Sequence, residues 1–222
     1  MNSLRLNDIL KIKHPESSNL FNEFHRIAEH LFKEFRIAKD DKIYRPTEVE
    51  FYFFKPGIHD DVHAYCNERQ KELGRLFRHR TGIDITFGTN GSFGGILIRG
   101  ISDITNNKYI NGCWNVLKEL SDGYTQISSD DLEKKVDLIE ASNELDIILF
   151  STRIGLKEKI EDTDSYISRN YRFVTEIKVT NKFKEKEKVA VVAYKTEILK
   201  INGIKEKFGY IPHDIKVLMD KN

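Results

Sequence analysis

Apolar residues recur along this chain at two periods, and the switch between them marks out its elements. Leu20, Phe21, Phe24, Ile27, Ala28, Leu31, Phe32 and Phe35 fall at helical spacing, which predicts an amphipathic helix over Ser18–Phe35. Lys39-Asp40-Asp41-Lys42 reads as a polar turn. From Thr47 to Phe54 the period drops to two, with Val49, Phe51 and Phe53 on one face and Glu48, Glu50 and Tyr52 on the other. Lys55-Pro56-Gly57 ends that strand. His59–Phe77 is polar and irregular, with a short helix expected over Glu68–Leu73. Ile83, Ile85 and Phe87 alternate with Asp84 and Thr86 as a second strand. Thr89-Asn90-Gly91-Ser92 then turns the chain into Ile96–Ile101, predicting a hairpin. Cys113, Val116, Leu117 and Leu120 share one face of a helix over Asn111–Leu120. Leu145–Phe150 and Arg172-Phe173-Val174 read as further buried strands, and Lys182–Lys188 as a solvated tip between two strands. Strands joined by hairpins with helices at the flanks make an α+β class.

Composition changes this picture little. A chain of 222 residues is long enough to bury a full core. Thirty-six basic against 35 acidic side chains leave a net charge of +1, so any nucleic-acid role rests on a local basic patch. Cys66 and Cys113 give no metal spacing and no disulfide framework, which suits a reducing cytoplasm. Met1–Asp8 lacks the apolar core of a signal peptide, and no apolar run is long enough to span a membrane.

Two features carry chemistry. Ile96–Ile101 is apolar on both faces apart from Arg99, so it reads as a central strand with a buried guanidinium, which is costly unless a carboxylate or ligand pairs with it. The Glu48-Val49-Glu50-Phe51-Tyr52 strand offers two carboxylates on one face, and geometry alone does not separate Glu48 from Glu50. Arg99 and Glu50 are expected to be neighbours, either as a site or as a structural ion pair. Asp84 faces the same way as Thr86 and is expected to pair with Arg99 or His79. Arg69, Lys71, Arg75, Arg78 and Arg80 form the one dense basic stretch nearby, a candidate for phosphate contacts or a solvated helix face. His59-Asp60-Asp61 with His63, and His79 with Asp84, offer metal-ligating atoms, but their spacing fits no metal motif, and no metal or other cofactor is expected.

In order, these pieces resemble the alkyladenine (3-methyladenine, methylpurine) DNA glycosylases. The resemblance spans roughly Ile27 to Val174. It is carried by the sequential agreement of the Ala28/Leu31 helix, Glu48–Tyr52, Gly95-Ile96-Leu97-Ile98-Arg99-Gly100, Asn111-Gly112, and Thr152-Arg153-Ile154-Gly155 before Arg172-Phe173. It implies one domain over 1–175, built on a curved, mainly antiparallel sheet, with an extension over 176–222 packed on it. It also implies excision of a damaged or modified purine from double-stranded DNA after base flipping. In that reading Glu50 activates water, which Arg99 orients while holding Glu50 ionised. Tyr52 stacks on the base with His63 or His79, and Phe77 joins the base pocket. Asp84 is an added acid where the family carries a neutral residue. Arg78-His79-Arg80 stands where the family places stacking aromatics, so a wedge residue has no equivalent here. A cytoplasmic monomer, nucleoid-associated if bacterial, is the expected setting. Two alternatives stay open: a non-catalytic reader of modified nucleotides, and a metal-dependent phosphodiesterase built on His59–His63.

Overall fold

The Val49, Phe51 and Phe53 face becomes the inner surface of the strand on which the whole sheet is built. The structure, a computed structural model, describes residues 4–16, 20–142 and 144–220. In chain order, α1 (Leu4–Leu10) and α2 (Leu20–Glu34) lead into β1 (Phe35–Lys39), β2 (Lys42–Lys55) and the two-residue β3 (His59–Asp60). Next come β4 (Leu76–His79), β5 (Gly82–Thr86), β6 (Phe93–Asp103), β7 (Lys108–Asn111), α3 (Cys113–Leu120) and α4 (Ser129–Glu133). The chain closes with β8 (Val136–Glu140), β9 (Leu149–Ser151), β10 (Arg172–Val174), α5 (Lys186–Lys195), α6 (Ile201–Phe208) and α7 (His213–Met219).

The strands pair in the order β4-β5-β6-β2-β1-β8, antiparallel throughout, and curl into a half-barrel flanked by helices. The expected α+β class with a curved antiparallel sheet is therefore the observed one. β2 runs along β6 from Tyr44 to Phe54, while its other edge is shared in turn by β1, β10 and β3. The predicted β5–β6 hairpin is present, with Thr86 opposite Gly95. Phe24 from α2 stacks on Phe51, with ring centroids 4.7 Å apart, and Phe53 and Phe87 complete an aromatic core under the sheet.

Several boundaries differ from expectation: the strand expected over Leu145–Phe150 forms only at Leu149–Ser151, and the helix expected from Asn111 starts at Cys113, because Asn111 still belongs to β7. The first helix stops at Glu34, because Phe35 is already paired with Glu140 across β1 and β8; Ser18 lies outside the described residues. The helix expected over Glu68–Leu73 is a single tight 3-10 turn over Glu68–Lys71, capped by Asn67. Lys182–Lys188 is not a tip between strands but the entry to α5. Phe183 anchors it in a satellite core, and Glu185 pairs with Lys188 at 2.9 Å. That core sets Ile177, Val189, Ala193, Ile204, Phe208 and Ile215 against Leu149 and Val174, so the helices after β10 pack on the β9–β10 edge. Among the described residues, no helix is long and apolar enough to cross a membrane.

Candidate functional site

The outward face of β2 meets an irregularity in its ladder with β6. Register slips between Pro46 and Glu48 and again between Glu48 and Val49, so Thr47 on β2 and Arg99 on β6 are left without direct partners. Such bulges re-aim side chains, and Pro46, with no N–H to give, sits where the ladder is already broken. Arg99 turns its carbonyl to the Gly112 N–H at 2.7 Å, which ties β6 to the start of α3. Its guanidinium comes back across β2. Nε donates to Glu48 Oε1 at 3.0 Å, and Glu50 lies 3.4 Å away. Arg99 and Glu50 are thus neighbours on one face, as the sequence leads one to expect.

Glu48 is the more completely bound carboxylate. Besides Arg99 it accepts from Arg172 Nε at 2.8 Å and from Asn111 Nδ2 at 2.6 Å. Glu50 accepts from the Ile154 backbone N–H at 2.7 Å and from the Tyr52 hydroxyl at 2.9 Å, with Arg99 farther off. It has no exposed surface. Burial raises the Glu50 carboxyl pKa, reinforced by neighbouring Glu48, against the opposing pull of Arg99 and the Ile154 N–H. Arg99 does pull the Glu50 pKa down, as expected, but desolvation outweighs the guanidinium and the net direction is upward. Burial likewise works against the charge on Arg99, but Glu50 and Glu48 together raise its pKa. Tyr52 is pushed up by burial and by Glu50.

Tyr52, Arg99 and Ile154 form part of the wall of a cleft of about 810 Å³, so Glu50 sits one side chain behind that wall. Asp84 lines the cleft directly. Its Oδ1 is 2.9 Å from His79 Nε2, and Oδ2 accepts from Gln70 Nε2 at 3.1 Å. Of the two partners open to Asp84, the structure selects His79. Tyr65, 52% exposed, lays its ring 4.6 Å from the His79 ring at the same cleft. His63 lines the cleft too and pairs with Asp162 at 3.2 Å. Phe77 does not: it is buried and packs against Tyr65 and His79, sharing the His79 face of β4 two residues earlier.

Most of the basic stretch is engaged within the protein. Arg69 pairs with Asp130 and Glu133, Lys71 with Glu68, and Arg75 with Glu72 and Glu133. Arg78 donates to the Thr125 carbonyl. Arg69 and Arg75 clasp α4 to β4 and the preceding turn, so their charge is balanced inside the protein. Arg80 alone of the five reaches the cleft, and it is exposed. The basic rim is instead Arg80 with Lys157, Lys159 and Lys184, contributed by segments far apart in sequence.

Three further buried charges, Arg153, Asp61 and Arg172, brace the site from behind. Arg153 is fully enclosed: it clasps both Asp61 oxygens at 2.5 and 3.2 Å, caps the Phe51 and Tyr166 carbonyls, and lies 4.5 Å from the Tyr52 ring centre. It thereby fixes the floor under Tyr52. Arg172, in an apolar three-residue strand, carried the same signal as Arg99. Asp61, in a polar loop, offered only metal-ligating atoms, and its partner is Arg153 instead.

The His59–His63 cluster does not converge. His59 faces the core, bonded to the Phe53 carbonyl and the Tyr171 hydroxyl, and Asp61 is taken by Arg153. Among the described residues, no three His, Cys, Asp or Glu side chains gather to hold a metal ion.

No family model matches the chain. It is similar to uncharacterized protein L759 of Acanthamoeba polyphaga mimivirus, at 26% identity over 163 residues. These cover 62% of this chain and 74% of that protein.

Proposed function

We propose that this protein hydrolyses the N-glycosidic bond of a damaged or modified purine in DNA. The observation that carries the reading is the set of groups behind the cleft wall. A carboxylate with a raised pKa, Glu50, is held by the Ile154 N–H, the Tyr52 hydroxyl and Arg99, all three belonging to residues that line the cleft. A base for water activation works best with its pKa lifted toward the working pH. Tyr52, with Arg153 beneath it, offers a rigid aromatic surface for a flipped base, with His63, His79 and Tyr65 along the same cleft. Arg80, Lys157, Lys159 and Lys184 supply positive charge at the mouth for DNA phosphates. The resemblance to the alkyladenine DNA glycosylases supports the same assignment, with Glu50 as base and Arg99 as the group that orients water.

One observation favours a second reading. Glu50 has no exposed surface, so water reaches it only when Tyr52 or Arg99 gives way. A reader that binds a modified nucleotide without cleaving it needs no such opening. A duplex carrying one alkylated purine separates the two. Strand cleavage that depends on alkali after incubation supports excision, whereas retarded but intact DNA supports the reader. Direct cleavage abolished by EDTA would instead mean metal-dependent phosphodiester chemistry and overturn both.

A further inference from the structure

The cleft holds a second titratable device that water activation by Glu50 does not use. Asp84 is 2% exposed and has both oxygens engaged, one with His79 Nε2 and the other with the Gln70 amide. Gln70 is itself fixed. It closes a capping box in which the Asn67 N–H donates to its side-chain oxygen. His79 is therefore oriented through a chain of buried polar groups, and Tyr65 covers its ring. Its other nitrogen, Nδ1, is buried and has no hydrogen-bond partner among the described residues. A buried polar atom left open in this way is costly, and such an atom on a cleft-lining residue calls for a ligand partner. Both members of the pair line the cleft; Glu50 does not.

We infer that His79, oriented by Asp84, is the proton donor to the departing base. The inference rests on the glycosylase reading above and adds a general acid to it. As the bond from C1′ to the purine nitrogen breaks, its electron pair leaves with the purine. The Nδ1 proton of the imidazolium passes to a ring nitrogen of that purine. The water oxygen bonds to C1′, and the water's proton goes to Glu50. The enzyme ends with a neutral imidazole and a protonated carboxyl, and transfer of one proton from Glu50 to His79 through solvent restores it. Asp84 is the positioning residue: by holding Nε2 its carboxylate leaves Nδ1 as the nitrogen that donates to the base, and it stabilises the charged ring. A purine that is already cationic leaves as a neutral base and needs no such proton. A neutral purine does.

The test is single-turnover excision from two duplexes, one holding cationic 7-methylguanine and the other neutral hypoxanthine. The proteins are wild type, His79→Gln and Asp84→Asn. Wild type is expected to excise both. His79→Gln is expected to lose about 10²–10⁴-fold more on hypoxanthine than on 7-methylguanine, the usual worth of a general acid, because only its contact with the base is lost on the cationic purine. Asp84→Asn should show the same selectivity with a smaller loss. If His79→Gln fails to fold, Asp84→Asn still decides the matter, because the ratio of its rates on the two duplexes cancels any general damage to the site. Equal losses on both duplexes, or a wild type that excises only 7-methylguanine, overturn the inference while leaving the glycosylase reading standing. A wild type inactive on both overturns that reading and the inference together.

Discussion

Glu48 and Glu50 stand two residues apart on one strand face, both fully buried, yet their surroundings differ in kind. Glu48 receives two guanidinium nitrogens and an amide at 2.6–3.0 Å. Glu50 receives one peptide N–H and one phenol, with Arg99 at hydrogen-bond distance only marginally. A buried ion with matched donors is an anchor, whereas one with fewer donors is pushed toward its neutral form. The bulge at Arg99 produces the asymmetry by aiming Nε at Glu48 and leaving Glu50 the longer contact. Identical residues on one face are thus separated by the donors that other strands and loops deliver, not by their own spacing.

The sharpest way to break this contrast is to neutralise each carboxylate in turn. Glu50→Gln should retain the fold and lose about 10²–10⁴-fold in single-turnover excision, the usual cost of a missing general base. Wild-type turnover in Glu50→Gln alongside a dead Asp84→Asn would move the base to Asp84. Glu48→Gln should instead unfold about 3–5 kcal/mol more easily in urea. It removes the carboxylate with which Arg172, a fully enclosed guanidinium, forms its ion pair. Equal stability of Glu48→Gln and wild type would mean that the two positions are not distinct after all.

A smaller effect comes from the far side of the cleft. A Cβ at Gly95 would collide with the Asp84 carboxylate and the Gln70 amide, so only glycine lets β6 pass behind that pair. Gly95→Ala should cost about 1–3 kcal/mol as an overpacked site, measured by urea denaturation. It should also displace Asp84 from His79. Unchanged stability would show that this side of the cleft can shift as freely as its opposite wall.

The two basic regions invite a parallel test. Lys157 lies exposed on the rim, while Arg75 is tied to Glu72 and Glu133. Lys157→Ala should lower the slope of log affinity for DNA against log salt by about 0.9, as expected for one lost phosphate contact. Arg75→Ala should leave that slope alone. The reverse result would return the phosphate contacts to the stretch that sequence alone points to.

What sequence alone reveals follows the range of the interactions involved. Period-two alternation placed Glu50 and Tyr52 on a common face, and an isolated charge in an apolar run placed Arg99 beside a carboxylate. Both signals are local. The donors to Glu48, by contrast, come from positions 99, 111 and 172, and only a register shift brings them together. The basic stretch misleads for a related reason. Its partners Asp130 and Glu133 lie some sixty positions later, so a run that looks like free charge is already neutralised. The rim that replaces it draws on three separate segments and shows no cluster in the sequence.

The finest test of the Glu48–Glu50 contrast is the pH dependence of stability. Burial raises the Glu50 pKa above its ordinary value of 4.5 in the folded chain, whereas the unfolded chain keeps that ordinary value. The folded state therefore binds this proton more tightly. Its contribution to stability is complete below pH 4.5 and is lost as the pH rises through the folded value. Each unit by which the folded value exceeds the unfolded one amounts to about 1.4 kcal/mol. Glu50→Gln carries no such proton, while the other titrating groups are common to both proteins. The stability of Glu50→Gln relative to wild type should accordingly grow with pH and level off above the folded value. Urea denaturation of both proteins at several pH values measures this difference directly. Excision by wild type should rise over the same interval, since the base must lose its proton before it can accept one from water. A relative stability that falls with pH would mean that Arg99 and the Ile154 N–H overcome burial at Glu50, leaving it as firmly ionised as an anchor.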